Sequence, residues 1–229
     1  MTRSHVLLDL DGTISDSSLG IARSLQHAFA ECGFEPPSDD AVRAVIGPPF
    51  EVSFPSLGVP ASETERVVLA YRERYEDIGL FENEVYPGVA EMLDALGDAG
   101  YTLAIATAKP EPTAIRIVEH FGFTDHFLLQ AGATVEVGSS RRTKAQVITH
   151  ALDVLAAHDH GVGDRDRVVM VGDRDHDVEG ALHNGIDCIG VSWGFGSHDE
   201  LYGAGAALVV DSPAEVVGAV QATYRSGRP

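Results

Sequence analysis

The chain has 229 residues, of which 44% are hydrophobic and 22% charged, and its formal net charge is −19. That composition supplies enough apolar material for a core, and the length suits one domain or one domain carrying an insertion. So acidic a surface argues against nucleic acid or an anionic membrane as a general partner, but a locally positive site for a small anion is still compatible with it.

In chain order, "HVLLDLD" (5–11) is a short apolar run that ends in acid and is bounded by Gly12, the pattern of a buried strand. Residues 16–35 carry helical spacing through Leu19, Ala22, Leu25 and Phe29. "EPPSDD" breaks that helix, and Ser38 or Asp39 is positioned to cap a second one, "DAVRAVIG", which "GPPF" (47–50) stops. "SETERVVLAYRERYEDIGL" (62–80) reads as a long amphipathic helix, so residues 16–84 are expected to be helical only.

From "YPGV" (86–89) onward the pattern alternates. "VAEMLDALGDAG", "EPTAIRIVEHFGF", "TKAQVITHALDVLAAH" and "DVEGALHNGI" read as helices. "YTLAIATA", "HFLLQAGA", "DRVVMVGD", "DCIGVSWG" and "AALVVD" read as strands, and "HDHGVGDRD" (158–166) as a polar loop. Alternating strands and helices predict an α/β fold: a doubly wound, mostly parallel sheet with helices on both faces. The expected organisation is a core of residues 1–15 and 86–229 and a helical insert of residues 16–85. Ligands of such sheets collect at the carboxyl ends of the strands, where an insert leaving just after the first strand would roof the site.

Cys32 and Cys188 stand far apart, in no CxxC pattern, and read as small buried hydrophobes. The apolar run near the start is too short for a signal peptide, and no run reaches the length of a membrane span. The expected compartment is the cytosol.

The strand ends collect the chemistry. Asp9 and Asp11 close the first strand, Thr107 the second, Lys144 opens the helix after the third, and Asp173 closes the fourth, with Asp175 and Asp177 following. Carboxylates gathered this closely repel one another unless some are protonated or a cation sits among them, and oxygen donors suit a hard ion, Mg2+ above all. A carboxylate can also act as a covalent nucleophile. With Asp9 and Asp11 two apart on an extended end, one fits a nucleophile and the other a proton donor. A hydroxyl and an ammonium would then hold an anionic group such as a phosphoryl. "DRDHD" (173–177) superficially resembles a calcium-binding loop, but that pattern wants glycine sixth and glutamate twelfth, where this chain has Val178 and Asn184. Of the 16 basic residues only two are lysines, Lys109 and Lys144, and Lys144 stands where a compact charge suits better than a planar guanidinium fork.

With "DLDGT" (9–13), "ATAK" (106–109), Lys144 and "GDRDHD" (172–177) in this order, the whole chain resembles the haloacid dehalogenase superfamily of phosphotransferases. "RAVIGPPF" (43–50) and "VSWGFGS" (191–197) resemble its phosphoglycolate phosphatase-like branch, and the insert resembles that branch's small α-helical cap. The third motif, "SRRTKAQV", lacks the common K-P-x-P form. The resemblance implies a Mg2+-dependent phosphatase for small phosphate monoesters. In it Asp9 attacks phosphorus and forms an aspartyl-phosphate, and Asp11 protonates the leaving oxygen and then activates water. Thr107 and the Ala108 backbone N–H bind phosphoryl oxygens, with Lys109 beside them, and Lys144 neutralises charge. The metal would be held by the Asp9 carboxylate, the Asp11 carbonyl and Asp173, with Asp177 a ligand or the group that orients a metal-bound water or Lys144. The second acid, Asp11, disfavours dehalogenation, since an alkoxide leaving group needs a proton and a halide does not. Specificity is expected from Arg43 to Phe50 of the cap. There Arg43 is a candidate for a second anionic group, Gly47 permits an unusual φ, and Pro48 and Pro49 stiffen the backbone. The expected partner is a small phosphorylated metabolite, met by a monomer or weak homodimer. A 5′-nucleotidase, a protein-tyrosine phosphotransferase or phosphatase, a sugar phosphomutase and a non-catalytic binding protein are the competing readings.

Overall fold

The computed structural model describes residues 4–47, 53–134, 141–157 and 167–226. The expected loop at 158–166 and the end of the expected recognition loop, Pro48 to Phe50, lie outside these residues. The chain divides into two compact units, one of Met1–Ser15 and Val85–Pro229, the other of Asp16–Glu84.

The first unit is built on a six-stranded sheet. Its strands are β1 (His5–Leu8), β4 (Thr102–Pro110), β5 (Phe127–Ala133), β6 (Val168–Gly172), β7 (Asp187–Val191) and β8 (Leu208–Val210), in the order β5-β4-β1-β6-β7-β8. Every neighbouring pair described is parallel. The helices between them are α4 (Val89–Asp98), α5 (Glu111–His120), α6 (Lys144–Ala157), α7 (Asp175–His183), α8 (His198–Ala204) and α9 (Pro213–Ser226). The central strands are buried on both faces, which is why "HVLL" and "VVMV" read as continuous apolar runs rather than alternating ones. One core cluster joins Leu7 and Met170 of the sheet to Val147, Ile148 and Ala151 of α6 and Val178 of α7.

The second unit contains α1 (Ser18–Glu31), α2 (Asp39–Val45) and α3 (Thr64–Asp77), with short 3-10 turns at Phe54–Leu57 and Gly79–Phe81. Ser38 is the cap of α2, its hydroxyl accepting from Ala41 N at 3.3 Å. The buried stripe of α1 is Gly20, Ile21, Ser24, Leu25, Ala28 and Phe29, whereas Leu19, expected on it, is 49% exposed. The expectation of helices only needs a second correction: Ser15–Asp16 (β2) and Glu84–Val85 (β3) pair as a two-stranded ribbon where the chain leaves and re-enters the first unit.

Candidate active site

Strand register assembles the site. Leu8 of β1 is level with Ile105 of β4 and Val171 of β6. The residues that follow each, Asp9, Ala106 and Gly172, therefore lie at one height across the sheet, with Thr107 and Asp173 one residue further on. Asp9 N continues the ladder by donating to Val171 O at 3.0 Å. Lys144 reaches the same edge from the first residue of α6, and Asp177 from the first turn of α7.

The centre is a buried ion network. Lys144 Nζ stands 2.6 Å from Asp9 Oδ1 and 2.7 Å from Asp177 Oδ1, and donates to Ala106 O at 3.1 Å. Burial alone would push this ammonium down, but the Asp177 and Asp9 carboxylates outweigh it and hold the pKa above the ordinary lysine range. Asp177 Oδ2 accepts from the backbone N–H groups of Asp173 and Arg174, both at 3.1 Å. Burial would raise Asp177, yet Lys144 and His176 win and hold it below the usual carboxylate value. With both its oxygens engaged by protein groups, Asp177 is placed to hold Lys144 rather than to ligate a metal directly.

Asp173 is fully buried. Its Oδ2 accepts from Phe195 N at 2.8 Å, and its Oδ1 faces Thr13 Oγ1 at 3.4 Å. Lys109 Nζ lies 2.6 Å from Asp11 Oδ2, while Asp11 Oδ1 is buried with no hydrogen-bond partner among the described residues. Thr107 is 2% exposed, and its Oγ1 accepts from Lys109 N at 3.3 Å; Ala108 is half-buried. The core unit thus gathers Asp9, Asp11, Thr107, Ala108, Lys109, Lys144, Asp173 and Asp177. Arg43, exposed on α2, and Gly47, at φ 117°, belong to the second unit.

Charge accounting shows that these residues fit a divalent cation. Among the described residues, the buried carboxylates Asp9, Asp173 and Asp177 face one buried ammonium, Lys144, while the Lys109 ammonium is paired with Asp11. The deficit is visible in their acidities: burial pushes Asp9 up despite Lys144, and burial, reinforced by the Asp177 and Asp9 charges, pushes Asp173 well above its ordinary value. An ion held by oxygen donors offsets this repulsion. Ligand atoms of Asp9, His176 and Asp177 also lie within 4.8 Å of one another. Lys144 Nζ already occupies the flank of both carboxylates in that trio, so a second cation there would be repelled. The Asp9–Asp173 side is the more favourable place.

The sequence reading singled out "VSWGFGS" (191–197) and "DLDGT" (9–13) but gave neither the 193–196 loop nor Thr13 a role beside Asp173. Trp193 Nε1 donates to Thr13 O at 3.1 Å, and a Cβ at Gly12, Gly194 or Gly196 would overlap atoms of Asp173. It also missed Glu200, which binds Arg174 Nε at 2.7 Å and Asp175 N at 3.1 Å. The glycines of "WGFG" were the available signal, since closely spaced glycines mark close backbone approach.

The parallel sheet with aspartates and a bridging lysine gathered at its carboxyl edge is the fold and arrangement of a haloacid dehalogenase-like protein. The family model for haloacid dehalogenase-like hydrolases matches residues 6–191, and the chain belongs to that family. It is 42% identical over 194 residues to tyrosine-protein kinase PtkA of Mycobacterium tuberculosis, covering 85% of this chain and 64% of that protein. It is 42% identical over 200 residues to a 5′-nucleotidase of Pseudomonas aeruginosa, covering 86% of each. A crystal structure of a predicted phosphatase from Clostridium acetobutylicum superposes with a TM-score of 0.88 at 33% identity, covering 97% of this chain and 100% of that one. Proteins named phosphoglycolate phosphatase match at 27–30% identity. No helix among the described residues is long and apolar enough to cross a membrane.

Proposed function

We propose that the chain hydrolyses small phosphate monoesters with Mg2+, by way of an aspartyl-phosphate on Asp9. The observation that carries this reading is the Lys144 ammonium set 2.6 Å from Asp9 beside the undercompensated Asp173. Asp9 Oδ attacks phosphorus in line and the bond to the leaving oxygen breaks, Asp11 giving that oxygen its proton. Asp11 then takes a proton from water, the water oxygen attacks phosphorus, and the Asp9–phosphorus bond breaks to release inorganic phosphate. Throughout, Lys144 fixes the nucleophile and neutralises equatorial charge, Thr107 Oγ1 and the Ala108 N–H receive phosphoryl oxygens, and Lys109 aligns Asp11. Asp9, Asp173 and the Asp11 carbonyl would hold Mg2+, which when bound offsets the repulsion between an anionic nucleophile and an anionic substrate.

The second unit is proposed as the specificity-setting cap, with Arg43 and Gly47 as its substrate-facing candidates. The proposal extends to a cytosolic monomer or weak homodimer with no nucleic-acid or membrane partner, in keeping with the charge of −19. Phosphoglycolate and nucleoside 5′-monophosphates lead the substrate panel. The nucleotide reading draws support from the Pseudomonas relative, which matches at similar length. Phosphate release should be measured across the panel, with Mg2+ and with EDTA, for the wild type and Asp9→Asn. Turnover of a metabolite by the wild type alone, lost in EDTA, is expected. Equal inactivity of both proteins on every compound refutes the phosphatase reading. Turnover confined to a phosphotyrosyl peptide would move the function toward protein tyrosine, and persistence in EDTA would refute the metal.

A further inference from the structure

The loop that leaves β7 takes no part in the reaction just described, yet two of its donors converge on Asp173 by different routes. Phe195 N donates directly to Asp173 Oδ2 at 2.8 Å. Trp193 Nε1 donates to Thr13 O at 3.1 Å, and Thr13 Oγ1 in turn faces Asp173 Oδ1 at 3.4 Å. The circuit Trp193–Thr13–Asp173–Phe195 thus ties the loop after β7 to the loop after β1, which also carries Asp9 and Asp11. Packing closes it without slack. A side chain at Gly194 would overlap the Gly12 carbonyl and the Asp173 carboxylate, and one at Gly196 the Asp173 carbonyl. Further along, Ser197 caps α8 and Glu200 grips Arg174, so the next turn of chain is anchored as well.

We propose that Trp193 and the backbone amide of Phe195 are positioning groups that hold the Asp173 carboxylate in cation-binding orientation against the Asp9–Thr13 loop. The inference rests on the metal-dependent reading above. Carboxylates that bind metals are themselves held by hydrogen bonds, and loss of such a partner commonly weakens the metal about 10- to 100-fold. The two donors differ in kind, which makes the idea testable. The indole N–H belongs to the side chain, so Trp193→Phe removes the donor and keeps an aromatic ring. The Phe195 donor belongs to the backbone, so Phe195→Leu keeps it.

Calorimetric titration of the full chain with Mg2+ should show about a 10- to 100-fold weaker affinity for Trp193→Phe and an unchanged one for Phe195→Leu. In steady state, Trp193→Phe should need more Mg2+ for half-activation while its kcat at saturating Mg2+ stays near that of the wild type. Metal-free melting curves should show a cooperative transition for both variants, with Phe195→Leu near the wild type and Trp193→Phe lowered only by the loss of one hydrogen bond. Gly194→Ala should weaken Mg2+ at least as much; if it does not fold, the Trp193→Phe and Phe195→Leu pair decides alone. A folded Trp193→Phe with wild-type Mg2+ affinity overturns the positioning role and leaves the phosphatase reading intact. A wild type that binds no Mg2+ overturns the metal reading and this inference with it.

Discussion

Lys144 stands where the charge of the site is balanced. Its side chain is 2% exposed, and it touches two carboxylates and one carbonyl. The space behind it is small, since a Cβ at Gly180 would lie only 3.0 Å from Lys144 Cγ. A guanidinium is wider and planar and cannot place a point charge against Asp9 and Asp177 at once. Lys144→Arg is therefore expected to lower kcat by about 10²- to 10³-fold, the usual cost of losing one preorganised electrostatic group, although charge is conserved. Lys144→Met goes further by leaving two buried carboxylates without their counterion, and urea denaturation should show a loss of about 3–5 kcal/mol. Near-normal turnover of the arginine variant would show that compactness is not what the position needs. The residues at this centre are legible in the sequence because each motif is local and chemically distinctive. Thr13, Trp193 and the Phe195 amide are not, because their partners lie far along the chain and a backbone donor has no letter of its own.

At the level of elements, apolar runs and glycine stops mark the six parallel strands and most of the helices between them. What escapes them depends on pairing or on length. The β2–β3 ribbon has two residues per strand and exists only because distant segments meet. Helix α8 spans seven residues with Leu201 as its one buried side chain, so no stripe repeats. Helix α9 does carry a stripe, Val216, Ala219, Val220 and Thr223, which the reading by alternation passed over after the last strand. In the second unit, the stripe of α1 is displaced from the Leu19 phase because Gly20, not a large residue, makes the close contact. A Cβ at Gly20 would overlap Gly79 O, and Gly20 N donates to Glu82 O at 3.1 Å. Glu82 anchors the same corner, accepting from Arg74 at 2.8 and 3.1 Å and from Arg23 at 2.6 Å. Gly20→Ala should destabilise this unit by about 1–3 kcal/mol through overpacking. Urea denaturation followed by circular dichroism checks it, and an unchanged midpoint would show that the corner opens freely.

For the whole molecule, the deficit of positive charge at the site couples metal, pH and stability. Asp9 and Asp173 have folded pKa values raised above the ordinary 3.8 by burial. Their stabilising contribution is fully present below 3.8 and is lost as pH rises through the raised values. Asp177, lowered by Lys144 and His176, and Asp175, pulled down to about 2 by its hydrogen bond to His176, act in the opposite sense. Their contribution is present above 3.8 and is lost as pH falls through the lowered values. At Asp9 and Asp173 the metal-free chain therefore carries a repulsion that grows as pH rises, and the proposed cation would offset it. Protons would compete with the proposed Mg2+ for these carboxylates, so Mg2+ affinity should rise with pH. At 100-fold excess over Kd, binding is worth about 2.7 kcal/mol. In a chain of this size that amounts to a rise in Tm of about 5–10 °C. The rise should be larger at pH 8 than at pH 5. With a net charge of −19, any added cation also screens self-repulsion, so the comparison belongs at matched ionic strength with Na+. Asp173→Asn should abolish the Mg2+-specific rise at both pH values while keeping the Na+ response. An equal Mg2+ effect in wild type and Asp173→Asn would mean that the stabilisation comes from the acidic surface and not from the strand-end carboxylates.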